Sequence, residues 1–348
     1  MIDAALRVVV FFAGLGALTL ILLSVSRAAL VNRLQGDWLA HRIGRLVCAA
    51  VTRIASVRRD YDAIQDALAW VLPLYALLLI LSWFLLVLAG FTLIIWSWHV
   101  EPSLLKAAIA SGSALSTLGF LTPTGVSGQW LAIVEGAIGL GVVVFFFTFI
   151  PGYQTSIQAR ELKVAWVYAR AGVEPSGFAL IEWLHESGVA LSTSELWEDW
   201  EVWFRELIES LTLAPILTYV PTLQRGQTWL AAAATILDAT SFSLATMERK
   251  GTAPAKLCYD TGVHTLRMLA AQESRRASFT PTGNSWDAAR SEFDATCSRM
   301  AMVGAPIRAD LDESWRRFVA LRNPYEGPLS QLAARLLIPM RNSLPLPR

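Results

Sequence analysis

Predominantly apolar positions fill residues 8–25, 67–98 and 130–150. Each run meets or nearly meets the roughly 20 residues that a helix needs to cross a hydrocarbon core about 30 Å thick. Within them Glu135 is the sole charged side chain, so the pattern predicts three membrane-spanning helices. Arg27 and Arg33 follow the first run and no clear small-residue cleavage site does, so it is expected to remain as an anchor and not leave as a signal peptide. The second run exceeds a perpendicular crossing, which predicts tilt or extension past the bilayer. Trp70 near its start and Trp96 and Trp98 near its end match the aromatic belts of two interfaces, and Pro73 is placed to bend its first turns. In the third run Gly136, Gly139 and Gly141 crowd one region, where small side chains permit close helix approach or bending. Pro151 and Gly152 predict its end.

Between the runs the periodicity changes. Residues 38–66 place Leu39, Ile43, Leu46, Val47, Val51, Ile54 and Ala55 at three- and four-residue spacing with arginines on other faces, which predicts an amphipathic helix. It lies either along the inner interface, arginines towards anionic headgroups, or against the domain that follows the spans. Pro102 and Ser103 open another helix through Leu104, Leu105, Ala108, Ile109 and Ala110. Its apolar character stops at Ser111, Gly112 and Ser113. A helix this short cannot cross, so the chain is expected to re-enter and turn back. Residues 116–121 then read as an extended piece, and Thr122, Pro123, Thr124 and Gly125 as a turn. Irregular backbone is tolerated at membrane depth only where it is buried in protein or lines a water-filled path, and carbonyl oxygens held there replace an ion's hydration shell. Residues 113–120 are therefore the candidate ion filter.

Composition supports a membrane protein: 54% of the 348 residues are hydrophobic and 16% charged, against roughly 25% charged in soluble domains. Charge placement predicts the orientation. Arg27, Arg33, Arg42, Arg45, Arg53, Arg58 and Arg59 lie within residues 26–60 against Asp37 and Asp60, whereas residues 99–129 hold Lys106 against Glu101. Cytoplasmic loops carry the basic excess, so the first connection is expected inside, with the N-terminus outside. Arg160, Lys163 and Arg170 then put everything after the third span in the cytoplasm. The net charge of +1 carries no nucleic-acid footprint. Cys48, Cys258 and Cys297 all fall on the cytoplasmic side and read as reduced, buried or interfacial small hydrophobes, Cys48 also being a lipidation candidate.

Beyond Gly172, tryptophans such as Trp183, Trp197, Trp200 and Trp203 mix with acidic residues at helical spacing. This predicts an all-α domain of about five to seven helices separated near Pro215, Pro221, Pro254 and Pro281, with a loop at 278–285 and a frayed tail at 343–348. Glu182 and His185 sit one turn apart, yet a single such pair supplies too few ligands for a metal. There is no phosphate-binding glycine motif, no span of regularly spaced arginines, and no nucleophile–base or paired-carboxylate arrangement of an enzyme.

Ser113-Ala114-Leu115-Ser116-Thr117-Leu118-Gly119-Phe120, followed by Pro123 and then by Gly128 to Gly139 with Glu135 between them, resembles the pore module of the two-transmembrane-helix, pore-loop potassium channels. In that family a Thr-x-Gly-Tyr-Gly filter precedes a proline-containing turn and an inner helix with a hinge glycine. The resemblance covers roughly residues 68–153. It implies that Thr117, Leu118, Gly119 and Phe120 occupy the filter, Ser116 the hydroxyl position before it, and Gly139 the gating hinge. It also implies a homotetramer, potassium or another monovalent cation as permeant ion, and no cofactor. Gly119 adopts positive φ without strain, and the Thr117 hydroxyl offers one more oxygen layer. Leu121 stands where the family has its second glycine, no aspartate follows, and the connection to Pro123 is two residues shorter, so fewer carbonyl sites are expected. Glu135 either braces the pore helix from behind the filter or lines the ion path.

The expected architecture is an all-α membrane protein: three transmembrane helices with a re-entrant pore helix and filter loop, plus an all-α cytoplasmic C-terminal domain. Its parts are the first transmembrane helix (1–26), a basic cytoplasmic amphipathic helix (27–66), the pore module (67–152) and a helical regulatory or interaction domain (153–348). The expected function is a cation channel of the cell membrane gated through that domain by a cytoplasmic protein or small ligand. The rival reading is a non-conducting membrane scaffold or sensor that uses a channel-like module to oligomerise.

Overall fold

The computed structural model describes residues 2–29, 37–123, 125–191, 193–247, 252–272, 286–302, 307–341 and 344–345. In chain order the helices are α1 (Ile2–Ala29), α2 (Trp38–Ala55), α3 (Tyr61–Leu68), α4 (Val71–Ser97), α5 (Leu104–Leu115), α6 (Gly125–Ala171), α7 (Gly177–Glu186), α8 (Ser194–Leu213), α9 (Trp229–Thr246), α10 (Ala253–Ala271), α11 (Trp286–Met302) and α12 (Leu311–Arg335). A 3₁₀ turn at Pro215–Tyr219 and an antiparallel pair, Met340–Arg341 with Leu344–Pro345, complete the described elements. The protein is thus essentially all-helical, and α1, α4 and α6 are long and apolar enough to cross a membrane. Two compact units emerge: Met1–Ala49 with Leu72–Thr155, and Ala50–Val71 with Ser156–Arg348.

Several local outcomes differ from the sequence reading. The helix expected over 38–66 is two, because the chain breaks at Arg58-Arg59-Asp60 and Asp60 starts α3 by accepting from the Asp62 N–H. Pro73 falls in the first turn of α4, where an N–H has no partner in any helix, so it interrupts no bond of the ladder. α6 does not stop at Pro151-Gly152 but runs on to Ala171. Pro151 withholds a single ladder bond, the one to the carbonyl of residue 147, and a helix of 47 residues continues past that loss. The expected loop at 278–285 and Pro281 lie outside the described residues, as does the tail apart from Leu344–Pro345.

In the first unit α1 and α4 cross at two glycines. A Cβ on Gly14 would lie 2.7 Å from the Gly90 carbonyl, and one on Gly90 would lie 2.9 Å from Leu18 Cδ2. Only hydrogen at both positions permits that approach. Ile21, Val87, Phe91, Ile95, Ala107 and Leu115 form the core beside it, joining α1, α4 and α5. A buried polar chain fixes the start of α2: Trp83 Nε1 donates to Ser24 Oγ (3.0 Å), Ser24 to Asp37 Oδ2 (2.6 Å), and that same oxygen accepts from the Ala40 N–H (3.0 Å).

In the second unit α9 is buried along nearly its whole length, against α7, α10 and α12. The Trp197, Trp200, Phe204, Leu207 and Leu211 stripe of α8 has helical spacing and is buried, with α10 packed against α8. Inside, Tyr325 donates to Asp238 at 2.5 Å and Arg322 lies 3.5 Å from the same oxygen. Burial and the adjacent Asp238 hold the Tyr325 hydroxyl well above its ordinary range. Burial pushes the Cys297 thiol up to about 12 and raises Cys258 as well. All three cysteines are buried and none is in a disulfide among the described residues. The loop before α9 is gripped from two sides. Arg160 of α6 donates to the carbonyls of Leu217 (3.2 Å) and Val220 (3.0 Å) and pairs with Glu161, which accepts from the Leu223 N–H. Gln65 of α3 donates to the Gln227 carbonyl (2.9 Å) and accepts from the Gly226 N–H (3.0 Å).

Candidate functional site

The site is built on α5. Ser103 caps it by accepting from the Lys106 N–H at 3.3 Å. The helix does not end at Ser111-Gly112-Ser113 but continues to Leu115. Tertiary partners explain this: Ser111 Oγ lies 2.5 Å from Glu135 Oε1 and 3.2 Å from the Leu88 carbonyl, so the hydroxyl is engaged by α6 and α4 and does not compete with the helix backbone. Ser111, Ser113 and Glu135 are all fully buried.

After Leu115 the chain does not extend. Ser116 remains helical, with its hydroxyl donating to the Gly112 carbonyl at 2.6 Å. Thr117 has φ 58° and Gly119 φ 68°, while Leu118 and Phe120 keep negative φ. Glycine takes the left-handed region freely, but a β-branched residue there costs on the order of 1–3 kcal/mol and persists only where its surroundings over-determine it. Hydrogen bonds do so here. The N–H of Thr117 donates to the Ala114 carbonyl (3.0 Å), that of Gly119 to the Ser113 carbonyl (3.3 Å), and that of Leu121 to Ser113 Oγ (3.0 Å). Among the described residues, no hydrogen bond ends on a carbonyl of residues 117–120. A Cβ on Gly119 would meet nothing within 4 Å, and Leu118 and Phe120 are 73% and 66% exposed in the single chain.

Ser116, Thr117, Leu118, Gly119 and Phe120 thus share one loop, whereas Glu135 and Gly139 reach α5 from α6. Glu135 meets it at Ser111. Gly139 meets its last residue: a Cβ there would stand 2.7 Å from Leu115 Cδ1 and 3.1 Å from the Leu115 carbonyl. Sequence reasoning gives Ser111 no role as a partner of α6 and places Ser113 and Leu115 only in the filter segment, without the contacts they make. The available signal was that two serines flank a glycine on a short apolar helix, where each hydroxyl has to find a partner. Glu182, weighed as half of a ligand pair, accepts from Thr296 Oγ1 at 2.8 Å and pairs with Arg299. No group of metal-ligating side chains occurs among the described residues.

No family model matches this chain, and neither a curated protein nor a solved structure is found to be similar to it. The channel resemblance accordingly rests on the sequence of residues around 113–139 alone.

Proposed function

We propose that the chain is the subunit of a homotetrameric pore-loop cation channel of the cell membrane, with α5 as a re-entrant pore helix and residues 116–120 as its ion filter. The observation that carries this reading is the alternation of backbone hand at Thr117 and Gly119, with every second N–H drawn back onto α5. Peptides turned this way gather their N–H groups on one edge and leave carbonyl oxygens on the other, and four such edges around an axis offer a dehydrated cation its oxygen ligands. The exposed Leu118 and Phe120 support it too: apolar side chains on an otherwise anchored loop are what a neighbouring subunit covers.

In this reading α1, α4 and α6 span the bilayer with the N-terminus outside and the helical second unit in the cytoplasm, following the arginine excess of residues 26–60. α6 lines the inner pore, Glu135 braces α5 from behind the filter, and Gly139 is the place where α6 bends when the helical unit is moved by a protein or small ligand. Two left-handed residues give few carbonyl layers, so monovalent conduction with a potassium preference short of the family's is expected.

Ion flux from liposomes holding the purified protein tests the proposal, with Gly119→Asp as control. Flux in the wild type that the variant loses is the expected result. Absence of flux from both rejects the pore and leaves the membrane scaffold. In planar bilayers under a potassium/sodium gradient the reversal potential should fall short of the potassium limit.

A further inference from the structure

The last turn of α5 holds the loop through one residue more than any other. Thr117 donates to Ala114, but Gly119 and Leu121 both donate to Ser113, one to its carbonyl and one to its hydroxyl. A serine inside a helix ordinarily turns its hydroxyl to water or to a carbonyl one turn back. Ser113 is fully buried, and its oxygen instead accepts from a backbone N–H eight positions ahead. The recipient site is telling. Leu121 has the conformational restriction of a bulky residue and keeps negative φ, so the direction of its peptide is not free in the way a glycine's is and is set by the partner its N–H finds. The peptide plane that carries this N–H also carries the carbonyl of Phe120, the outermost oxygen of the alternating run. Holding the N–H holds that oxygen.

We infer that Ser113 is a positioning residue for the filter: its hydroxyl fixes the 120–121 peptide and thereby determines how strongly the pore distinguishes potassium from sodium. The inference rests on the pore-loop reading. Ser113 touches no ion and acts only through the backbone.

The test compares wild type, Ser113→Ala, a chain whose residue 121 is the α-hydroxy acid analogue of leucine so that an ester oxygen replaces the N–H, and the two changes combined. The potassium/sodium permeability ratio is read from reversal potentials in planar bilayers. Loss of one hydrogen bond predicts a ratio changed by about threefold to tenfold in Ser113→Ala. The ester also weakens the Phe120 carbonyl as a ligand, so its own change is at least as large, and adding Ser113→Ala to it should change nothing more. A conducting wild type whose ratio neither change moves, or two effects that multiply, overturns the role of Ser113 alone. A wild type with no current overturns the pore reading and this role together. Amide hydrogen exchange in detergent needs no current: Ser113→Ala should speed exchange at Leu121 by about tenfold and leave Thr117 unchanged. Unaltered exchange at Leu121, or faster exchange spread through α5, refutes the assignment.

Discussion

The Ser111 hydroxyl carries one hydrogen and stands within bonding distance of two oxygens, Glu135 Oε1 and the Leu88 carbonyl. The second oxygen of Glu135 is buried without a partner among the described residues. A side chain at 135 that can itself donate relieves the competition, because it gives its hydrogen to Ser111 while Ser111 gives its own to Leu88. Glu135→Gln should therefore keep thermal stability in detergent within about 1 kcal/mol of wild type, whereas Glu135→Ala, which strips α5 of its polar tie to α6, should cost about 1–3 kcal/mol. Equal melting temperatures for all three would show that the bond braces nothing. At this scale Gly119 was readable in advance, since a glycine beside hydroxyls in a broken apolar segment needs a conformational reason. The left-handed Thr117 was not readable. Its conformation is set by bonds from 117, 119 and 121 back to Ala114 and Ser113, and local preference argues against it.

At the scale of elements, small residues decide how near α6 comes to α5 and α1 to α4. Gly139 illustrates a choice between two roles. As a packing residue it admits Leu115, and Gly139→Ala should destabilise the protein by about 1–3 kcal/mol through overpacking. Adding Leu115→Ala should recover part of that loss, because the clashing Cδ1 at 2.7 Å disappears. As a hinge alone it would gain rigidity from alanine, and trimming Leu115 would restore nothing. Thermal unfolding of the two single variants and the double variant separates these outcomes. The limits of legibility at this scale have a common cause. The three long apolar runs were plain in the sequence because their signal is summed over some twenty residues. The ends of α5 and α6 were misjudged because Ser111-Gly112-Ser113 and Pro151-Gly152 read as local breakers, while the actual decision lies with partners on α4 and α6 or with a helix long enough to absorb one lost bond. The break inside 38–66 erred the other way: periodicity continued across Arg58-Arg59-Asp60, but the Asp60 cap started a new helix.

For the molecule as a whole, the chain passes between its two units near residues 49, 71 and 155, and the stretches beside the last two are tied to one loop of the second unit. Gln65 in α3 and Arg160 in α6 both bond the segment between Pro215 and Thr228. Arg160 and its neighbour Glu161 are nearly inaccessible, so removing the guanidinium leaves a buried carboxylate and several carbonyls without their donor. Arg160→Ala should destabilise the unit by about 3–5 kcal/mol, measured as an earlier loss of intrinsic tryptophan fluorescence from the Trp166, Trp183 and Trp200 cluster. A variant that unfolds with the wild type would show that the loop is held otherwise. None of this was visible from composition, because Gln65, Arg160 and the 217–227 segment are far apart in sequence and ordinary in type. The enclosure of α9 has a consequence for biosynthesis. Its cover includes α12, which leaves the ribosome only after residue 335, so for some ninety residues of translation the side of α9 that α12 covers waits for its partner, whereas α7 is made before it and α10 directly after. An aspartate at its centre, Asp238, makes α9 a poor candidate for membrane insertion during that interval, and Arg322 of α12 reaches the same carboxylate only once α12 has formed.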